Sequence, residues 1–184
     1  MASSSRQAFE SFMLSALRQQ PPGHWRQHVL YAVIGLQAEV SKVLSTVRTG
    51  HPQGPPPRQV LIRELWHLEY YHALVCYQFN RWVEAEPTTC CSVGTVEGCA
   101  IEMVVDAGRI AAAVRDWCFH SAHLGHGAVD ALAHLSALRL CLFGMLGIAS
   151  EEVWQLRHPN SPVAPWPSGL SDVHVVSEIG RAHV

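Results

Sequence analysis

Ile34-Gly35-Leu36-Gln37-Ala38-Glu39-Val40-Ser41-Lys42-Val43 and Ile101-Glu102-Met103-Val104-Val105-Asp106-Ala107-Gly108-Arg109-Ile110 decide the fold. The second stretch repeats the residue classes of the first 67 positions later. Glu39 and Lys42 become Asp106 and Arg109, while Ile34 and Val43 become Ile101 and Ile110. The register continues without a gap. Val47 matches Val114, Arg48 Arg115, Leu65 Leu132, His67 His134, Leu68 Leu135, His72 Arg139 and Val75 Leu142. Identity is low, so the signal lies in residue class at fixed spacing. A unit of this length is one supersecondary element, here a helical hairpin that needs its twin to bury an apolar face.

Working outward, Phe9, Phe12, Met13, Ala16 and Leu17 fall at helical spacing and predict an amphipathic helix over 6–19, ended by Pro21-Pro22-Gly23. Val29, Val33, Leu36, Val40, Val43 and Val47 form one stripe of a helix over 25–48. Pro55-Pro56-Pro57 suits the first turn of the next helix, 58–82, because proline lacks only a donor that would be unused there. Helices over 96–118 and 127–147 follow, with Gly147 as the expected left-handed stop. Ser150 is placed to cap a short helix, 151–157. No segment alternates with the period of a strand. The class is all-α: four long helices as two repeated hairpins, plus short terminal helices. The first repeat spans 6–83, a linker 84–95 and the second repeat 96–158. The proline-rich tail, 159–184, is a poor candidate for packed structure. Its last seven residues, Glu178 to Val184, are also the in-frame translation of a common sequencing adapter, and carry no weight in the fold.

Apolar residues make up 48% of the 184 and charged residues 15%, so burial is easily satisfied and polar surface is thin. That composition favours a homo-oligomer. The net charge is −2 with histidine neutral, and Lys and Arg cluster nowhere, which argues against a nucleic-acid patch. Charged residues interrupt each apolar stretch before it reaches membrane-spanning length, and the first residues lack a signal-peptide pattern. The six cysteines lack metal-ligand spacing, which points to reduced thiols and a cytoplasmic protein.

At 3.6 residues per turn, Glu39 and Asp106 lie roughly 80° from the centre of their apolar stripes, and Glu64 roughly 60°. Lys42, Arg109, His67 and His134 lie further round, roughly 120–140°. His72 and Arg139 fall near stripe centres. A buried arginine needs a carboxylate or phosphate partner. A hairpin therefore sets an acidic helix edge against an acidic or histidine edge, the kind of groove in which helical bundles build metal and ligand sites. The same residues also admit plain structural roles. Glu39–Lys42 and Asp106–Arg109 are ordinary i, i+3 ion pairs worth a few tenths of a kcal/mol, and Arg58 or Arg63 is placed to neutralise Glu64.

At Phe12-Met13-Leu14-Ser15, Leu30 to Val40 and Arg63-Glu64-Leu65-Trp66-His67-Leu68-Glu69-Tyr70-Tyr71 the chain resembles the MazG-like all-α nucleoside triphosphate pyrophosphohydrolases. The likeness returns at Ala100 to Arg109, Ala131 to Leu135 and Gly147 to Trp154, and spans about residues 9–157. Members of that family carry E-E-x-x-E on one helix and E-x-x-D on the next, holding Mg²⁺ on the triphosphate for attack between its α- and β-phosphates. The resemblance implies that Glu39 and Glu64 are catalytic metal ligands and that Asp106 is a further ligand. In this chain the five acidic positions read Ala38, Glu39, Lys42, Glu64 and His67, then Val105, Asp106, Arg109, Ala131 and His134. So eroded a carboxylate set implies Mg²⁺ binding and hydrolysis that are weakened or lost. Lys42, Arg109, Arg139, His67 and His134 are then candidate contacts to a nucleoside triphosphate or other phosphate ligand. Two other readings stay open. Glu39, Glu64-x-x-His67, Asp106 and Asp130 with His134 follow the layout of ferritin-like di-metal carboxylate bundles, although Asp130 and His134 are i, i+4 instead of i, i+3. The third is a non-catalytic oligomerisation or interaction protein.

Overall fold

A computed structural model describes residues 2–18, 23–48, 56–79, 94–120 and 124–156. The proline-rich tail and most of the expected linker lie outside the described residues. Among the described residues there are six helices: α1 (Ala2–Leu17), α2 (Trp25–Arg48), α3 (Arg58–Gln78), α4 (Val96–His120), α5 (His126–Leu146) and α6 (Ser150–Trp154). Among the described residues no strand occurs. The bundle is all-α, as the periodicity requires. α2 packs on both α3 and α4, α4 packs on α5, and α1 and α6 lie together across α3.

The helix ends follow local chemistry. Pro57 stands as N-cap of α3 with extended backbone, and its carbonyl accepts from Val60 and Leu61. Gly147 closes α5 at φ 64°, and the Ile148 N–H reaches back to the Phe143 carbonyl at 3.0 Å, the six-to-one bond of a Schellman turn. Several ends differ from expectation: α1 stops at Leu17 instead of 19, α4 runs on to His120 instead of 118, and α6 stops at Trp154 instead of 157. α1 begins at Ala2 instead of residue 6, and α3 stops at Gln78 with Phe79 as its cap. Ser150, placed as a cap by its type, is the first residue of α6, and Ala149 precedes it without a side-chain bond. Arg58 at the start of α3 ties this corner down. It donates to the Gly147 carbonyl at 3.0 Å and pairs with Glu152 at 2.7 Å.

The core is built from the expected stripes. Leu36, Val40, Leu65, Leu68, Met103, Ile110, Leu132, Leu135 and Leu142 are all fully buried. Burying each large aliphatic side chain contributes about 1.5–3 kcal/mol against leaving it in water. Burial also follows the 67-residue register. Leu36 and Met103, Val43 and Ile110, Leu65 and Leu132, Leu68 and Leu135 and Val75 and Leu142 are buried in pairs, while Ile34 and Ile101 are exposed in both places. Gly35 breaks the symmetry usefully. A Cβ there would collide with the Tyr71 ring, so glycine lets α3 press that ring against α2, where the Tyr71 hydroxyl meets Tyr31 at 3.2 Å.

α5 is the one described helix long and apolar enough to cross a membrane, despite Asp130, His134 and Arg139. Just over half of its apolar window is buried inside the bundle. Cys76 and Cys118 are free thiols, and Cys99 donates its thiol to the Leu138 carbonyl at 3.1 Å. Cys141 is disulfide-bonded, against the expectation of six thiols. An apolar helical setting buries a half-cystine as readily as a thiol.

Candidate metal cluster and its counterpart

Glu39 leaves α2 on the side that faces α3. Glu64 and His67, one turn apart on α3, face it. One ligand atom from each of Glu39, Glu64 and His67 lies within 4.8 Å of the others, and all three side chains are half-buried. Two carboxylates and an imidazole at that spacing form a set that could coordinate one metal ion. Oxygen and nitrogen donors together suit Mn²⁺, Fe²⁺ or Zn²⁺ at least as well as Mg²⁺, which prefers oxygen.

Lys42 sits at the same place. Its Nζ donates to both oxygens of Glu39 at 3.0 Å and lies 3.7 Å from Glu64 Oε2. The hydrogen bond to Glu39 holds the ammonium protonated above its ordinary range, with Glu64 adding to it and partial burial opposing. The side chain is 54% exposed against 12% for Glu39, so its long stem can swing out without dragging the carboxylates with it. Tyr71 lies beside the same carboxylate. Burial, the Tyr31 hydroxyl and the Glu39 charge push its phenol above the usual range, which leaves it a neutral hydrogen-bonding group.

The counterpart in the second hairpin is built differently. Asp106 is 1% exposed, and both its oxygens are engaged. Oδ1 accepts from Arg109 at 3.1 Å and Oδ2 from His134 Nδ1 at 2.6 Å. The position matching Glu64 is Ala131, and among the described residues Asp106 and His134 do not join a three-ligand group. Asp130, the remaining carboxylate of a di-metal layout, is exposed and belongs to no such group.

Arg139 turns inward instead of toward the cluster. Its Nη1 donates to both oxygens of Glu69 at 2.6 Å, and the pair is buried, with exposures of 6% and 0%. The Trp154 indole donates to Glu69 Oε2, also at 2.6 Å. His72 is buried against Ser136, 2.8 Å from its hydroxyl. Because that hydroxyl donates to the Leu132 carbonyl at 2.7 Å, it accepts from His72 Nε2, which leaves the Nδ1 lone pair buried and without a partner. Burial first, and the Arg139 charge second, push the His72 pKa well below its ordinary value, so the ring is neutral.

Residue class therefore marked Glu39, Glu64 and His67, which do converge, and the Asp106, Arg109 and His134 group, which converges separately. It missed Glu69 and Ser136, the partners of the two stripe-centre residues. Comparison with protein-family models, with curated proteins and with solved structures gives no match to this chain.

Proposed function

We propose that the chain binds a divalent metal ion through Glu39, Glu64 and His67 and uses it to hold the phosphates of a nucleoside triphosphate. It would thus be a remodelled, tandem member of the MazG-like pyrophosphohydrolase class, with Mg²⁺ or a borderline ion at the first hairpin. The observation that carries this reading is the convergence of the three ligands within 4.8 Å at the α2–α3 groove. A metal held there neutralises triphosphate oxygens and activates water, the chemistry those residue types serve in a phosphoanhydride hydrolase. Hydrolysis is weak in this reading, because only two of the five acidic positions in that hairpin remain acidic and Lys42 competes for them.

The direct experiment measures metal uptake and pyrophosphate release together. The chain is titrated with Mg²⁺ and Mn²⁺ and then supplied with a panel of nucleoside and deoxynucleoside triphosphates. One bound ion per chain, lost in Glu39→Gln and Glu64→Gln along with nucleotide affinity, supports the proposal. Nucleotide binding that is unchanged in EDTA defeats it.

A mononuclear iron site is the second reading, favoured by the Glu64-x-x-His67 pair facing Glu39, which is half of the ligand set of a di-iron bundle. Metal content after growth with added iron separates the two, since one iron per chain without nucleotide affinity selects this reading. Self-association is the use we infer for Ile34 and Ile101, which are 62% and 43% exposed at one register position. Light scattering of the Ile34→Glu, Ile101→Glu double variant tests it, and an unchanged mass rejects it.

A further inference from the structure

Among the described residues the second hairpin has no three-ligand metal set, but it carries a different kind of centre. His134 stands on α5 with its side chain half-exposed, while the carboxylate beneath it is buried. Arg109 completes the group from α4, two-thirds exposed and fixed to the same carboxylate. An ionised carboxylate only accepts hydrogen bonds, so the 2.6 Å contact assigns a ring proton to Nδ1, and in the neutral ring the lone pair is then on Nε2. Among the described residues the ring bonds to Asp106 alone, with no hydroxyl or thiol to activate. The imidazole is thus oriented as a nucleophile in its own right, with a guanidinium anchored to the same carboxylate. Guanidinium groups match the oxygens of a phosphoryl group.

We propose that His134 Nε2 is a phosphoryl-acceptor site that takes a phosphoryl group from a small donor with a good leaving group, a phosphoramidate or an acyl phosphate. The Nε2 lone pair attacks phosphorus, the N–P bond forms, and the bond from phosphorus to the leaving group breaks. With phosphoramidate the leaving nitrogen departs as ammonia with the protons it already carries. Nδ1 keeps its proton, so the ring becomes a phosphorylated imidazolium. Its positive charge rests on the Asp106 carboxylate, the role a buried aspartate plays toward any imidazole that gains charge during reaction. Arg109 meets the phosphoryl oxygens. The metal cluster of the first hairpin takes no part, and the proposal stands or falls independently of it.

The test uses the full chain with phosphoramidate as donor, in EDTA. The chain is followed by intact mass, by ³¹P resonance and by peptide mapping under alkaline conditions, where phosphohistidine survives. The expected result is one acid-labile phosphoryl group per chain, on His134, as the Nε2 isomer. His134→Gln abolishes it, and because the side chain is half-exposed this variant keeps its fold by far-ultraviolet circular dichroism. Asp106→Asn and Arg109→Ala slow labelling by about tenfold each, the scale of one charge-assisted hydrogen bond. His120→Gln, at an exposed histidine of α4 outside the group, labels like the parent chain. The proposal is overturned if the folded chain does not label, if the Nδ1 isomer forms, if the group maps to another histidine, or if His134→Gln labels normally.

Discussion

Glu69 and Arg139 form a buried ion pair at 2.6 Å, and the positions that match them in the other hairpin, Ser136 and His72, form a buried hydrogen bond at 2.8 Å. Each contact joins one hairpin to the other. The first pairs position 69 with the equivalent of 72, and the second pairs the equivalent of 69 with 72. Exchange of partners in this way is the mark of a twofold relation, in which residue i meets j and j meets i. Cys76 and Phe143, also equivalent, continue it. Cys76 Sγ lies 3.5 Å from His72, and Phe143 lies under Arg139, with 5.8 Å between guanidinium carbon and ring centre. The two hairpins thus meet across a polar seam inside an apolar core.

Loss of one member of the ion pair leaves the other charged, buried and uncompensated. Arg139→Met is therefore expected to destabilise the chain by about 3–5 kcal/mol. Adding Glu69→Leu recovers most of that, since the remaining desolvation cost disappears with the charge. Denaturant unfolding of the single and double variants checks it. If the double variant is as unstable as Arg139→Met, the cost lies in packing and not in charge.

The neutral state of His72 makes stability depend on pH. The folded ring resists protonation, while the unfolded ring takes a proton near its ordinary value of 6.5. The unfolded chain therefore binds more protons below pH 6.5, and stability falls as pH drops from there toward the depressed folded value. Above 6.5 both states are neutral and the contribution is flat. The slope below 6.5 reaches at most about 1.4 kcal/mol per pH unit. His72→Gln, which can still donate to Ser136, is expected to remove that slope. Chemical denaturation of both chains between pH 7.5 and roughly 5 measures the difference.

Much of this seam was legible and some was not, for reasons of geometry. The apolar stripes fixed the helices, and the position of His72 and Arg139 at stripe centres flagged both as buried polar groups. Glu69 was hidden because a periodic stripe assigns one face to the core, whereas α3 is covered on several sides. From Leu65 onward Trp66, Leu68, Glu69, Tyr70 and His72 are all buried, because α1, α2 and α6 all pack on it. The missing signal was in the register itself. Glu69 and Ser136 precede His72 and Arg139 by three residues, and only a twofold arrangement turns that offset into contacts. His67 was marked by its residue class and not by its place on the helix. Its angle pointed away from the α3 stripe, but the edge of α2 that carries Glu39 reaches that side.

Lys42 is expected to limit metal affinity at the first cluster. Its ammonium pairs with both carboxylates, and a metal ion must displace it. Each pair is partly exposed and worth up to about 1 kcal/mol. Lys42→Met should accordingly tighten Mn²⁺ binding about tenfold, the change that about 1.4 kcal/mol produces. Calorimetric titration of the parent and variant chains decides it. Unchanged affinity means that the lysine leaves the cluster without cost, and weaker affinity means that it helps to build the site.

The second hairpin supplies a test of the whole comparison. At the four positions that matter it differs in type at one, since Asp106, Arg109 and His134 keep the character of Glu39, Lys42 and His67 while Ala131 replaces Glu64. If the hairpins are equivalent scaffolds, Ala131→Glu installs the missing ligand beside Asp106 and His134. The expected outcome is a rise from one to two bound Mn²⁺ ions per chain. The new carboxylate lies at a site only 4% exposed, so the metal-free variant should be less stable than the parent. Added Mn²⁺ should then raise its melting temperature more than it raises the parent's, because an ion that binds only the folded state stabilises it. Equilibrium dialysis gives the stoichiometry and thermal unfolding gives the linkage. A folded Ala131→Glu chain that still binds one ion would show that the aspartate shorter by one methylene, already held by Arg109 and His134, cannot release its oxygens to a metal.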